Sequence, residues 1–578
     1  NFPIPIHYMN KSSISTLVQE YLHTYNESLL VEIENHVRLA FGLNRVDGDQ
    51  LQLPEERINK NKNNNTDYAA CMTTQIDKAR NIDEHMYRQT VDKNNKIIKE
   101  FPSSDESIIK IVSTTMFKDF VHSIRKIVPA ITEKDCAGLL RDSITIGKIL
   151  CDTELTDFDK HVVENLVRKH KALFANEVLN HTTYKLSDLD LEMIKHVPQG
   201  GSWKDIPEET IHKSKRLERI TQTGGRTTLY GRIDYSKPSY TITTFFNRPG
   251  NGTYVHPVHE RVISAREAAR FQTFPDDYIF CGNKNDILKQ IGNAVPVLLA
   301  YNIGTAIRNK TGCCASVDLF SGAGGMTYGF KCAGIKATIA NDIMRSACLT
   351  LKTNMPDINV LCGDITKKEI KRTIITTGKS GGADIICGGP PCQGFSMAGW
   401  RMENDPRNEL FKHFVDIVSE IRPKVIVFEN VEGLLSYKNG ETYRNIIELF
   451  SELGYFTEGR KLKANHYGVP QRRNRVIILC TRKDINVPPK DLFPEPTTPN
   501  TDRQITAFET ISDLENIPCD DNAKNHSNYS SPILQFLKKE ITAHEYIQSI
   551  RDERGELACT AKTKMKKNSE QLLFDFFA

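Results

Sequence analysis

From residue 316 to about 484, short apolar runs alternate with stretches that carry apolar residues at helical spacing. The runs cover 316–320, 338–341, 385–387, 425–428 and 476–480. Such alternation predicts a parallel sheet wound with helices. Elsewhere the pattern differs. Residues 1 to about 178 show helical periodicity, as in 15–39 and 158–179, around an exposed Asn/Lys linker at 59–65. Residues 179–256 are rich in Thr, Gly, Tyr and Arg, with strand-like runs such as 240–246, and 257–310 hold two helical segments. The tail is mixed and ends Lys-rich. Five regions result: 1–178, 179–256, 257–310, 311–488 and 489–578.

Composition narrows the class. With 578 residues, 39% hydrophobic and 26% charged, the chain fits a multidomain globular protein with no membrane span and no signal peptide. A net charge of +4 permits nucleic-acid binding without demanding it. Fourteen cysteines are scattered without zinc-ligand spacing, so no metal is expected and a reducing, cytoplasmic compartment is. The chain begins at Asn1, which leaves a preceding segment open.

Candidate chemistry gathers at the ends of the apolar runs. The first leads into Ser321-Gly322-Ala323-Gly324-Gly325, a turn that lets a ligand approach the backbone at a helix N-terminus. The second ends at Asp342, where a carboxylate can hold ribose hydroxyls, and a third ends in Gly363-Asp364-Ile365. Together they favour a nucleoside cofactor, although each has a plainer reading as a tight corner or a helix cap. Next comes Gly388-Gly389-Pro390-Pro391-Cys392-Gln393-Gly394-Phe395-Ser396. Its prolines stiffen a turn that holds Cys392 at the ligand-binding edge, which makes that thiol a candidate nucleophile. The following run ends in Phe428-Glu429-Asn430, and Gln471-Arg472-Arg473-Asn474-Arg475 leads into the last. A capping Glu and a basic edge guard are the plainer alternatives for these.

In this order the residues resemble the DNA cytosine-5 methyltransferase family, over roughly 180–300 and 316–484. The resemblance implies an α/β, Rossmann-like wound sheet that uses S-adenosylmethionine, with a smaller target-recognition region and a mainly helical N-terminal extension. It implies that Phe320 stacks on the adenine, Asp342 holds the ribose and Asp364 meets the adenine amino group, with Gly322, Gly324 and Ile365 lining that site. Cys392 is then the nucleophile, Glu429 bonds the target base, and Arg473 and Arg475 orient base and loop, while Gln393 and Ser396 meet the DNA. Such chemistry cannot reach a stacked base, so the cytosine is expected to be flipped out. Met344 stands where many relatives carry a second acid, leaving the ribose to Asp342 alone.

Two motifs that normally close the family pattern come first here. Residues 261–272 resemble the helix supporting target recognition, and Gln290-Ile291-Gly292-Asn293 resembles the last motif, with Asn293 beside the cofactor. This order implies a circular permutation, with two complementing half-enzymes as the rival. Recognition is then split between the tail and 179–256, where Gly224, Gly225, Arg226 and Arg232 are candidate DNA contacts; a hairpin with solvated arginines is the alternative. Residues 1–178 match no known motif and lack the Asp-x-Lys or Glu-x-Lys triplet of common nucleases. The expected partners are double-stranded DNA, bound by a monomer near the nucleoid, and a cognate restriction endonuclease. Competing expectations are an RNA cytosine methyltransferase and an inactive DNA-binding regulator.

Overall fold

A computed structural model describes residues 115–141, 149, 155–224, 226–391, 410–520, 523–524 and 527–552. The chain divides into two compact units between Thr156 and Asp157. In the first, helix Thr115–Arg125 buries Phe117, Phe120, Val121 and Ile124 along one stripe, and helix Glu133–Arg141 follows. The segments 15–39 and 59–65 lie outside the described residues.

The second unit is built on a wound sheet. Two short strands, β1 (Gly231–Arg232) and β2 (Thr253–Val255), pair by themselves. The main sheet has seven: β3 (Ala315–Leu319), β4 (Lys336–Asp342), β5 (Asn359–Cys362), β6 (Ile385–Gly388), β7 (Val425–Val431), β8 (Tyr455–Lys463) and β9 (Asn474–Arg482). Their order is β5-β4-β3-β6-β7-β9-β8. Strands β3 to β7 pair in parallel, as expected, but β9 runs antiparallel to both β7 and β8. The expectation of a wholly parallel sheet is corrected here. Only a short 3-10 turn, Ala464–Tyr467, and a loop join β8 to β9. Without a crossover helix the chain cannot return to start a parallel neighbour.

Alternate strand residues enter opposite cores. Ile385, Cys387, Val427 and Ile477 pack with the helix Val297–Thr311, while Ile386, Phe428 and Ile478 pack with Phe414, Ile374 and Phe450 on the other face. Burial on both faces explains the uninterrupted apolar runs. Strand β8 was not legible as a run because it is the edge: Tyr455 and Leu462 are buried, while Phe456 is exposed.

Six helices matter for the site: α1 (Asp157–Phe174), α2 (Ala265–Phe271), α3 (Lys284–Asn293), α4 (Val297–Thr311), α5 (Gly325–Cys332) and α6 (Arg345–Asn354). Helix α4 ends on Gly312 (φ 70°), so that helix and one short turn carry the chain from Pro296 into β3. Helix α1 lies against α6 through Lys169 Nζ, 3.1 Å from Asn354 Oδ1, and through Arg345 over the Phe158 ring. It therefore belongs to the sheet-bearing unit rather than to the region 1–178.

Residues 240–246 are not a strand. After one bridge, Ser239 to Gln471, the chain is extended and then turns over 244–247. The C-terminal region packs on 179–310: the Ala507 and Phe508 amides donate to the Lys237 and Tyr235 carbonyls (2.8 and 3.1 Å), and the Asp513 carboxylate pairs with Arg270.

Candidate active site

The C-terminal ends of β3, β4, β5, β6 and β7 share one edge, because those strands are parallel neighbours. At the end of β3 the backbone turns sharply: Phe320, Gly322 and Gly324 all have positive φ, at 57°, 54° and 85°. For a bulky residue such as Phe320 this conformation is uncommon and costs energy, and such strain concentrates at functional sites. A Cβ on Gly322 would meet nothing within 4 Å, which leaves open space over the turn. A Cβ on Gly325 would lie 2.2 Å from the Val295 carbonyl, so the turn sits directly against the link between α3 and α4. Asn293 is exposed at the end of α3, beside that contact.

The carboxylate of Asp342 braces the same turn. It accepts from the Gly322 and Met344 amides, both at 2.8 Å. Burial pushes its pKa up, against these donors and the Ile343 amide, and the carboxylate retains acceptor capacity. Asn341 donates to the Leu361 and Gly363 carbonyls at 2.9 and 3.0 Å, drawing the end of β5 to that of β4. Asp364 is half-buried and takes the Thr366 amide at 2.9 Å, which lowers its pKa. Ile365 points into the core behind it. Two neighbours were missed in the sequence. Ile343, 69% exposed directly after Asp342, offers a flat apolar surface at this edge. Asp318, buried inside β3, receives a hydrogen bond from Thr327 Oγ1 and so ties β3 to α5. Its signal was visible: one charge inside an otherwise apolar strand.

The second half of the edge carries the acid and the arginines. Register pairs Glu429 with Ile477 and Val431 with Arg475. Because β9 is antiparallel, its first residues lie at the edge where β7 ends; a parallel strand would have carried them to the opposite edge. Arg475 Nε lies 2.7 Å from Glu429 Oε1, in a pair almost closed to solvent. Burial raises the Glu429 pKa, opposed by Arg475 and Arg473, so the carboxyl takes a proton more readily than an exposed Glu. Arg473 is fully buried, its Nη1 and Nη2 donating to the Ile242 and Gly292 carbonyls at 2.7 and 2.8 Å, and its Nε has no partner among the described residues.

The turn leading to Cys392 lies on Glu429. A Cβ on Gly389 would come within 2.5 Å of Glu429 Oε2, so only glycine allows that approach. Asn430 Nδ2 is 3.4 Å from the Pro390 carbonyl. Residues 392–409, among them Cys392, Gln393 and Ser396, lie outside the described residues, as does Gly225. Of the other candidate DNA contacts, Gly224 (φ 64°) caps helix Lys215–Thr223 and Arg226 is exposed. Arg232 is different. Its guanidinium is buried and donates to the Ile194, Val197, His256 and His259 carbonyls at 2.8, 2.6, 2.8 and 2.9 Å, which occupies four of its five N–H donors inside the protein. Sequence spacing could not reveal that burial.

An open Gly-rich turn, carboxylates at successive strand ends and a buried acid–guanidinium pair suit a nucleoside cofactor next to a site that polarises a ring. No described helix is long and apolar enough to cross a membrane, and no metal-binding cluster occurs among the described residues. The Type II methyltransferase M.XorII of Xanthomonas oryzae is 42% identical over 207 residues, covering 35% of this chain and 47% of the relative. M.AquIA of Picosynechococcus is 36% identical over 251 residues, which is 40% of this chain and 98% of the relative. The chain thus spans about half the length of the first relative. A crystal structure of a putative E. coli prophage DNA modification methyltransferase is 33% identical, with a TM-score of 0.26, covering 29% of this chain and 47% of that one. The family model for C-5 cytosine-specific DNA methylases matches residues 151–309 and 314–573, well over half of the chain, and the protein belongs to that family.

Proposed function

We propose that the protein methylates carbon 5 of cytosine within a specific duplex DNA sequence, with S-adenosylmethionine as donor and Cys392 as nucleophile. One observation carries it: the buried Glu429–Arg475 pair lies beneath the glycine-proline turn that delivers Cys392. The cofactor's place fits the residues present. Asp342 keeps acceptor capacity for ribose hydroxyls, Asp364 is accessible at the next strand end, and Phe320, Ile343 and Asn293 border the open turn. When bound, S-adenosylmethionine supplies an electrophilic methyl sulfonium.

The chain's own residues have to make the base reactive. Carbon 5 of an aromatic cytosine is a poor nucleophile. Addition of the Cys392 thiolate to carbon 6 opens the 5,6 double bond and leaves electron density on carbon 5. Glu429, which takes up a proton more readily than an exposed Glu, hydrogen-bonds N3 and stabilises the charge that addition creates. Arg475 holds that carboxyl in place and faces the base, and Arg473 acts as a strut from β9 to the 242 and 292 backbones. Loss of the carbon 5 proton and expulsion of the sulfur then restore the aromatic ring.

The motif order is best read as a circular permutation. Its support is that α4 enters β3 through a short turn and that the C-terminal region packs on 179–310. Recognition then draws on both of those regions, with Arg226 as the remaining described arginine candidate. The Type II names of the relatives support a restriction-modification role. A monomer, a cytoplasmic site near the nucleoid and a cognate endonuclease follow from it.

The test is bisulfite sequencing of DNA exposed to the protein, with trapping on 5-fluorocytosine duplex. Wild type should methylate one site and form the adduct, whereas Cys392→Ala should do neither while still binding DNA. Turnover by Cys392→Ala, or methyl transfer to tRNA in place of DNA, would overturn the proposal.

A further inference from the structure

The first half of the 239–248 segment is fastened to residues 470–473 of the arginine motif. Ser239 N and Thr241 Oγ1 donate to the Pro470 and Arg472 carbonyls (3.0 and 2.8 Å), and the Ile242 amide donates to Gln471 Oε1 at 2.8 Å. Arg473 reaches back to the Ile242 carbonyl. Beyond this point the chain presses so closely on Gly292 that a Cβ there would lie 2.4 Å from the Thr243 backbone. Two phenylalanines follow, and they part company. Phe246 is fully buried and meets Tyr184 edge-on at 6.1 Å, pinning the turn. Phe245 is 59% exposed. Tyr240, also exposed, carries the Arg472 guanidinium 4.8 Å from its ring centre, so positive charge accompanies the aromatic surface.

An exposed Phe is unremarkable on a soft surface. Here the segment that carries it is bound to residues 470–473 of the arginine motif, three residues ahead of Phe245, so the ring's position is set by the fold. Flipping a cytosine leaves a void in the stack, and apolar side chains are the groups that fill or wedge such gaps. Bases also stack on aromatic rings whatever their sequence. We infer that Phe245 is a DNA-contacting wedge, which stacks on the bases bordering the vacated position and so holds the target cytosine out of the helix. This rests on the proposed methylation of duplex DNA.

The experiment compares Phe245→Ala and Phe245→Trp on two duplexes carrying the site found by bisulfite sequencing: one fully paired, one with the target cytosine opposite an abasic position. On the paired duplex, Phe245→Ala should lose roughly ten- to a hundredfold in kcat/KM, the range expected for one stacking contact. Opposite the abasic position the cytosine is already unpaired, and the loss should shrink to less than about threefold. Phe245→Trp should restore the paired duplex, and S-adenosylmethionine binding by all forms should match, showing an intact fold. Wild-type activity on the paired duplex by Phe245→Ala, or equal losses on both substrates, would overturn the wedge. A wild type inactive on both duplexes would instead remove the methylation proposal beneath it.

Discussion

Arg232→Ala, set beside Arg226→Ala, separates a structural arginine from a candidate DNA contact. The Arg232 guanidinium makes four hydrogen bonds of 2.6 to 2.9 Å, to carbonyls at the end of helix Asp188–Lys195 and in the 256–259 turn. Removing it leaves buried acceptors without their strongest donor. The Ile194 carbonyl keeps the Val197 amide at 3.2 Å, so the loss is partial there. Breaking a buried charged network typically costs about 3–5 kcal/mol. An unfolding entropy of roughly 2.1 cal/mol/K per residue, over the unit Asp157–Ala578, amounts to about 0.9 kcal/mol/K. A cost of about 4 kcal/mol therefore lowers Tm by about 5 °C. Arg232→Lys keeps the charge but not the fork, and should fall between. Arg226→Ala removes an exposed side chain and should leave Tm within about 1 °C while weakening DNA binding. Differential scanning calorimetry and a DNA-binding titration on both variants suffice. If Arg232→Ala melted like wild type yet lost DNA affinity, the structural assignment would be wrong.

Gly389→Ala puts a methyl group 2.5 Å from Glu429 Oε2, forcing the carboxyl or the turn to move. Misplacement on that scale costs on the order of a hundredfold in kcat, with DNA affinity little changed; a variant with wild-type kcat would show that the turn does not set the position of the acid. For Asp318, burial pushes the pKa up to about 7, against about 3.9 in the unfolded chain. Its protonated form is favoured in the fold, so the stability it contributes is full below about pH 4 and is lost as pH rises to about 7. Asp318→Asn should match wild type near pH 4 and exceed it at pH 8, by at most about 4 kcal/mol. Parallel melting curves from pH 4 to 8 would refute the buried-carboxyl account.

What was legible in the sequence follows from what each residue's signal depends on. Strands β3, β6, β7 and β9 announced themselves because burial on both faces demands unbroken apolar runs, and the carboxylates stood out as charges ending such runs. Strand direction leaves no such mark. The apolar run of β9 looks the same whichever way it is threaded, yet its reversal is what brings Arg475 to Glu429. Burial of long polar side chains is equally silent: Arg232 and Arg226 both follow glycines by one or two residues, and only tertiary packing makes one a strut and leaves the other exposed. The run at 240–246 failed for a related reason. Its β-branched and aromatic residues suit a strand, but their partners are the side chains and carbonyls of the arginine motif, not a neighbouring strand. The β9 and 240–246 failures fall where the two halves of the site meet. The segment bearing Phe245 lies some two hundred residues from the acid and its arginine, and no local pattern can record a contact made only by the fold. The proposed circular permutation has the same physical basis: what the proposed chemistry needs is the shared edge of the sheet, and any connection that preserves this edge preserves the pairings on it.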